Sequence, residues 1–556
     1  MKKHNALKVV LVSLVLFLIL SWIIPAAYFS GEFMDQGRVQ MGLFDFFEYP
    51  LTAISYFGYV PVFLLFVGGF YGVLYKIPAY RNLLDKVAAK AKAHNKITII
   101  LMVSLIALGV SICGLQIAFA LFIPFLVSVL LLMGYDKKVA AYTLVGAMVA
   151  GLVGTTYAAQ NVGLALSALQ LNFDYQIGVR FVLLAVAAFL VILNVLLTIR
   201  KQEKTVVAEI KLDSNKKEEI VEEVIVEEVK EVEKSSEVKP VVKKSTSNTT
   251  KGAGKNAGKN SKGKGKTSNN KGKSTKSKSS NANKAALRDE DIIVAKNECC
   301  SCQCLVPAEV EGKRKTWPLS VIFGLLFVLM IIAFIPWGDN GFKISTFADI
   351  TKNVEGFKLF GFPIFSKVLG TIVPFGEWSL TQLLFPMALS LLLLVIIYGV
   401  KFEEVVDGFV SGMKNAVSPA LISVAMYTAL VIVTYHPFQL TIYKAILGLT
   451  KGFNIATTIV VTLLASIFNS DPMYTAQSYL PYYVSVVTNA DNYPLVAIIY
   501  QAFYGLSALL APTSLILMAT LSYLKVNYLD WLKTAWKLIL ELFAVLLIIF
   551  IIFALI

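Results

Sequence analysis

Three short polar interruptions of apolar sequence carry the side chains able to do chemistry. Gly154-Thr155-Thr156-Tyr157-Ala158-Ala159-Gln160-Asn161 sets a glycine, two hydroxyls and two amides at the end of an apolar run. Ala511-Pro512-Thr513-Ser514 repeats the pattern, with a proline that removes a backbone donor and breaks a helix. The third is Asn469-Ser470-Asp471-Pro472, and Asp471 is the only acid between Asp407 and Asp491. In a broken membrane helix, amides and hydroxyls at a half-helix N-terminus suit a carboxylate. Carbonyls freed at the opposite end suit Na⁺. The candidate substrate- and ion-binding residues are therefore Gly154, Thr155, Thr156, Gln160, Asn161, Asn469, Ser470, Asp471, Pro512, Thr513 and Ser514. An ionisable group at membrane depth marks function, which would make Asp471 a carrier of a proton or cation. As a helix cap at the interface it would be structural, and the sequence leaves both readings open.

No nucleophile–base pair, phosphate loop or metal-ligand spacing occurs, so the sequence predicts no enzyme and no cofactor beyond a coupling Na⁺ or H⁺. Cys113 lies alone in an apolar run and reads as a small buried hydrophobe. Cys299, Cys300, Cys302 and Cys304 cluster tightly. They are weak candidates for a soft metal or for palmitate near a membrane; no histidine set or second cluster completes a zinc spacing. His436, Glu377 and Arg180 flank apolar runs.

The elements that must position these residues are apolar helices. Of 556 residues, 56% are hydrophobic and only 16% charged, with a mean hydropathy of +0.68; soluble domains carry roughly a quarter charged residues. The runs 9–29, 60–75, 97–113, 179–199, 319–335, 383–400, 417–435 and 543–556 are nearly free of charge. Crossing the hydrocarbon core takes about 20 apolar residues, and the bilayer forces them into helix. The fold class is thus an all-α polytopic membrane protein. The first run is too long for a signal-peptide h-region and has no cleavage site, so it reads as a retained span. Lys76, Arg81, Lys86, Lys90, Lys92 and Lys96 mark a cytosolic loop. With Lys137 and Lys138, Lys313–Lys315 and Lys525, Lys533 and Lys537, they place the N-terminus inside. Residues 30–59 then form an outer loop, and residues 401–414 a cytosolic one.

Residues 200–316 divide two membrane halves, 1–199 and 317–556. They are rich in Glu and Val up to residue 237 and in Lys, Ser, Asn and Gly over 239–288, where no acid occurs. Such a tract cannot offset its ordering entropy, which predicts a disordered cytosolic linker. It serves either as a solvated spacer or as a contact for anionic lipids; no nucleic-acid partner is expected. Across the halves, Ile123-Pro124-Phe125-Leu126-Val127-Ser128-Val129 corresponds to Leu480-Pro481-Tyr482-Tyr483-Val484-Ser485-Val486. Each precedes a turn and a run ending in a break, Thr155 or Thr513. The first turn carries Asp136-Lys137-Lys138, the second only Asn489-Ala490-Asp491-Asn492, so the two units face opposite ways. That is the mark of inverted-topology repeats whose interrupted helices meet near the midplane.

At these motifs the chain resembles the YfcC-like branch of the DcuC, or C4-dicarboxylate carrier, group within the ion-transporter superfamily. The similar stretches are Trp22-Ile23-Ile24-Pro25-Ala26, Gly68-Gly69-Phe70-Tyr71-Gly72-Val73, Gly134-Tyr135-Asp136, 154–163 and 501–531. The resemblance implies paired re-entrant hairpins, a scaffold domain, often a homodimer, and a dicarboxylate, amino-acid or peptide substrate. The Lys- and Asn-rich composition points to a bacterial plasma membrane. The chain departs from that pattern with Ile117 and Ala118 in place of an acidic pair after Gly114. It also has Ala158-Ala159 in place of Asn-Pro, and Asp471-Pro472-Met473-Tyr474 in place of a Ser-Gly-rich hairpin. Ion-coupled transport by alternating access is the expectation. The alternative is a degenerate transporter fold that recruits partners through its linker.

Overall fold

The computed structural model describes residues 5–202, 305–308, 315–338, 341–368, 370–450 and 452–555. Most of the 200–316 linker and all four clustered cysteines, Cys299, Cys300, Cys302 and Cys304, lie outside the described residues. The described parts of Met1–Gln202 and Ser301–Ile556 pack as one unit. It is helical throughout, apart from a small antiparallel hairpin of Ala26–Ser30 with Glu32–Gly37. Seven described helices are long and apolar enough to cross a membrane, and an eighth span counts if a bent pair is one. The chain is an all-α polytopic membrane protein.

Two segments differ from the sequence expectation. Residues 43–57, expected in an outer loop, form the helix Leu43–Phe57, which bends by 74° into Tyr59–Leu74. Residues 401–414, expected as a cytosolic loop, are the opening turns of the 34-residue helix Phe402–Tyr435. Helix propensity alone would not continue a helix through Gly408 and Gly412. Tertiary contact does. Gly68 and Gly72 on Tyr59–Leu74 meet Gly408 and Gly412 backbone to backbone, and a Cβ on Gly72 would be driven into the Gly408 carbonyl. Small residues four apart on both helices permit this approach, which supplies membrane helix packing where lipid removes the hydrophobic drive.

The candidate site is built on a run of elements that occurs twice in the same order. In the first half a helix (Asn95–Cys113) leads through an irregular tip to Ile123–Leu132. There follow Lys137–Val153, a break, the short Ala159–Ala168 and the long Ile177–Gln202. In the second half Ile455–Phe468 leads through a tip at 469–471 to Pro472–Val486. Tyr493–Ser507, a break, the short Leu515–Leu524 and the long Tyr528–Leu555 follow.

The two broken helices are the innermost elements. Every residue from Val139 to Val153 is buried, and so is every one from Val496 to Ser507. They cross where Gly505 lies against the Val153 backbone, with no room for a Cβ, and Gln501 Nε2 donates to the Val153 carbonyl at 3.1 Å. The outer helix Tyr528–Leu555 buries one stripe only, Trp531, Ala535, Leu538, Leu542, Leu546 and Phe550, at the i, i+4, i+7 spacing of a one-faced helix. Its other apolar side chains face outward, where lipid replaces water as the solvent.

Candidate substrate and ion site

Breaking a helix inside a membrane leaves backbone groups that only the protein can satisfy. The two breaks do this differently. At the first, the amides of Thr156, Tyr157 and Ala158 all donate to the Ser111 carbonyl, at 2.9, 3.2 and 3.2 Å. Ser111 Oγ donates to the Gly154 carbonyl at 2.7 Å and meets Thr156 Oγ1 at 3.0 Å. Thr155 Oγ1 turns back on the Leu152 carbonyl at 2.9 Å. The Thr156 carbonyl is taken by buried Arg180, whose Nη1 also reaches the Phe173 carbonyl, both at 3.1 Å. Gly154, Thr155 and Thr156 are therefore packed and satisfied, and Gln160 is exposed. Asn161 is buried and accepts from Gln116 Nε2 at 2.7 Å.

At the second break the groups converge on a cavity. The tip Asn469-Ser470-Asp471 faces Thr513 and Ser514 across about 50 Å³, room for a few waters or one partly hydrated ion. Gln116, Tyr427 and Tyr504 complete its polar lining. Ser470 Oγ donates to the Thr513 carbonyl, and Thr513 Oγ1 donates to Ile467 O at 2.7 Å. Tyr504 and Tyr500 donate to the carbonyls of Ser470 and Pro472 at 2.8 and 2.7 Å, which fixes the tip. The carbonyls freed around Pro512 are claimed from outside: Trp531 Nε1 donates to Leu509 O at 2.8 Å, and Tyr528 OH to Leu510 O.

Asp471 is a helix cap, and it also faces the cavity. It caps Pro472–Val486, its Oδ1 accepting from the Met473 and Tyr474 amides at 3.1 and 3.2 Å, with Pro472 at the first turn where no donor is needed. It also lines the cavity, half-buried, and among the described residues is the one charged side chain that does so. Ser514 caps Leu515–Leu524 in the same manner.

The structure thus gathers Asn469, Ser470, Asp471, Thr513 and Ser514 around one space. Pro512 stands beside that group, Gly154, Thr155 and Thr156 behind it, and Asn161 touches it through Gln116. Gln116, Ser111, Tyr427 and Tyr504 were missed by sequence reasoning. Gln116 had a signal, being an amide two residues past Gly114, whose left-handed φ of 65° ends Asn95–Cys113.

A second cavity of about 70 Å³ adjoins the first. It lies between the tip 116–124, the short helix Leu515–Leu524 and the glycine-packed pair Tyr59–Leu74 and Phe402–Tyr435. It shares Gln116, Ile117, Leu515 and Ile516 with the polar cavity. Among the described residues no three His, Cys, Asp or Glu side chains come together as metal ligands.

Fold and site together define a polytopic membrane protein with a small polar cavity between hairpin tips and a broken central helix. Residues 4–243 match the family of C4-dicarboxylate anaerobic carriers, DcuC, the family its motifs resemble. The match takes in the first hairpin and the first broken helix and stops short of the second membrane half. Neither a curated protein nor a solved structure matches the chain.

Proposed function

We propose that the chain is an ion-coupled secondary transporter of a small carboxylate or amino acid, working by alternating access around Asp471. One observation carries the reading: Asp471, the one carboxylate among the described lining residues, faces a small polar cavity among largely apolar helices, where a charge without a task would be costly. Asn469, Ser470, Asp471, Pro512, Thr513 and Ser514 form the wall that meets substrate and ion. Gly154, Thr155, Thr156, Gln160 and Asn161 belong to the matching half-site. The coupling species is Na⁺ or H⁺, and the protein acts in the plasma membrane with its N-terminus and linker cytosolic.

An asymmetry between the halves supports alternating access. Pro472–Val486 packs directly against Ala159–Ala168. The equivalent pair, Ile123–Leu132 and Leu515–Leu524, stands apart across the 70 Å³ cavity. One side closed and the other loosened is what a single state of such a cycle requires. In the topology read from the charges, the loosened side is the cytosolic one.

The test is uptake into proteoliposomes under an imposed Na⁺ or H⁺ gradient. Accumulation that collapses with the gradient supports coupling. The scaffold reading, in which the linker recruits partners, gains if a folded protein neither binds nor moves any amino acid or dicarboxylate.

A further inference from the structure

The two adjoining cavities differ in chemistry, and their difference selects among substrates. This inference rests on the transport reading above and narrows it. Among the described residues the polar cavity is lined by one carboxylate and by no lysine or arginine. A C4-dicarboxylate would bring two further negative charges to Asp471, and like charges repel strongly in a poorly screened interior. A substrate carrying its own ammonium removes that conflict.

The amide pair at the junction points the same way. Gln116 and Asn161 spend one bond on each other, leaving Gln116 Oε1 and Asn161 Nδ2 buried without a partner. Reversing both amides would still leave one donor and one acceptor. Orphaned buried polar atoms are costly, and Gln116 is the member of the pair that lines both cavities, so the site fits a ligand whose head can meet its free amide atom as donor or acceptor. An α-amino acid head does so.

Beyond Gln116 the surroundings turn apolar. The 70 Å³ cavity has Ile117, Ala120, Met148 and Ala519 in its walls. Gln116, Thr520 and Tyr523 are its only residues with side-chain oxygen or nitrogen. A second carboxylate, or a lysine or arginine side chain, would lose its hydration there without a partner of opposite charge. The volume is about half of the ~150 Å³ apolar cavity that accommodates benzene, which favours a branched aliphatic group over an aromatic one.

We infer that the substrate is an α-amino acid with a small branched aliphatic side chain. Its ammonium sits by Asp471, its carboxylate by Gln116 with both amides of the pair reversed so that the free Gln116 atom is the donor Nε2, and its side chain enters the cavity between Ile117, Ala120 and Ala519.

The test measures binding of valine, leucine, alanine, phenylalanine, aspartate and succinate to the purified full-length protein, by radioligand binding with thermal stabilisation alongside. Valine or leucine is expected to bind best, with aspartate and succinate at least tenfold weaker. Ala519→Leu should weaken leucine at least tenfold and leave alanine within threefold. Ala120→Leu fills the same space from the opposite wall and should do likewise. Preferential binding of succinate or aspartate overturns the inference while leaving transport intact. So does leucine binding that both filled variants retain. Failure of the whole panel to bind folded protein overturns the transport reading with it.

Discussion

Replacing Asp471 separates its two roles, because one depends on shape and the other on charge. Asparagine caps a helix almost as well as aspartate, and alanine does not. Asp471→Asn should therefore keep the Met473 and Tyr474 amides satisfied and change stability by a few tenths of a kcal/mol. Asp471→Ala orphans both and should cost about 1 kcal/mol, within a range of about 0.5–2. The charge is a larger matter. A unit cation about 4 Å from the carboxylate gains about 4 kcal/mol at an effective dielectric constant of 20, close to a thousandfold in affinity. Thermal unfolding of the two variants, run beside gradient-driven uptake in proteoliposomes, reads both quantities. Asp471→Asn should unfold like the parent protein and lose accumulation almost completely. If it accumulates substrate as the parent does, Asp471 is a cap alone and the coupling argument fails.

Three other outcomes follow from the packing. Gly412→Leu must force apart a pair of helices held in backbone contact through Gly68 and Gly72, and overpacking of this kind costs about 1–3 kcal/mol or more. Size-exclusion profiles should show aggregation, while Gly324→Ala, which meets nothing within 4 Å, should be neutral. Ser111→Ala removes the donor to the Gly154 carbonyl and should cost about 1–3 kcal/mol, read as a lower midpoint of thermal unfolding with the fold retained by circular dichroism. Deleting residues 206–298 should leave binding and uptake within twofold in a transporter, whereas a recruiting scaffold should lose its partners in a pull-down.

The breaks were legible because polarity stands out in apolar sequence: Thr155, Asp471 and Thr513 are visible without a structure. What each break does was not legible. The amides of the first break were expected to face a ligand, yet those of Thr156, Tyr157 and Ala158 are spent on one carbonyl, Ser111, in a run whose serine looked incidental. Gln116 escaped notice because a single amide beside Leu115 and Ile117 has no period to reveal it. The 401–414 segment read as a loop because Lys401, Glu403, Glu404, Asp407 and Lys414 outweighed its apolar residues. Its helix is held by glycine contacts more than 300 residues apart in the chain, which no local window can contain.

One small anchor sets how the connecting chain behaves. Leu305 is buried, and its carbonyl accepts from Ser128 Oγ at 2.8 Å and from Tyr75 OH at 3.3 Å; Arg81 Nη1 donates to the Pro307 carbonyl at 2.7 Å. The described chain therefore leaves the body at Gln202 and is fastened to it again at Leu305. Closing a loop costs only about 0.6 kcal/mol more for each doubling of its length. By this logarithmic rule, a shorter or longer sequence between the two fixed points changes the stability of the bundle little. Leu305 and Pro307 have no such latitude, since they are the knot that ties the chain to Ser128 on the second arm of the first hairpin and to Arg81.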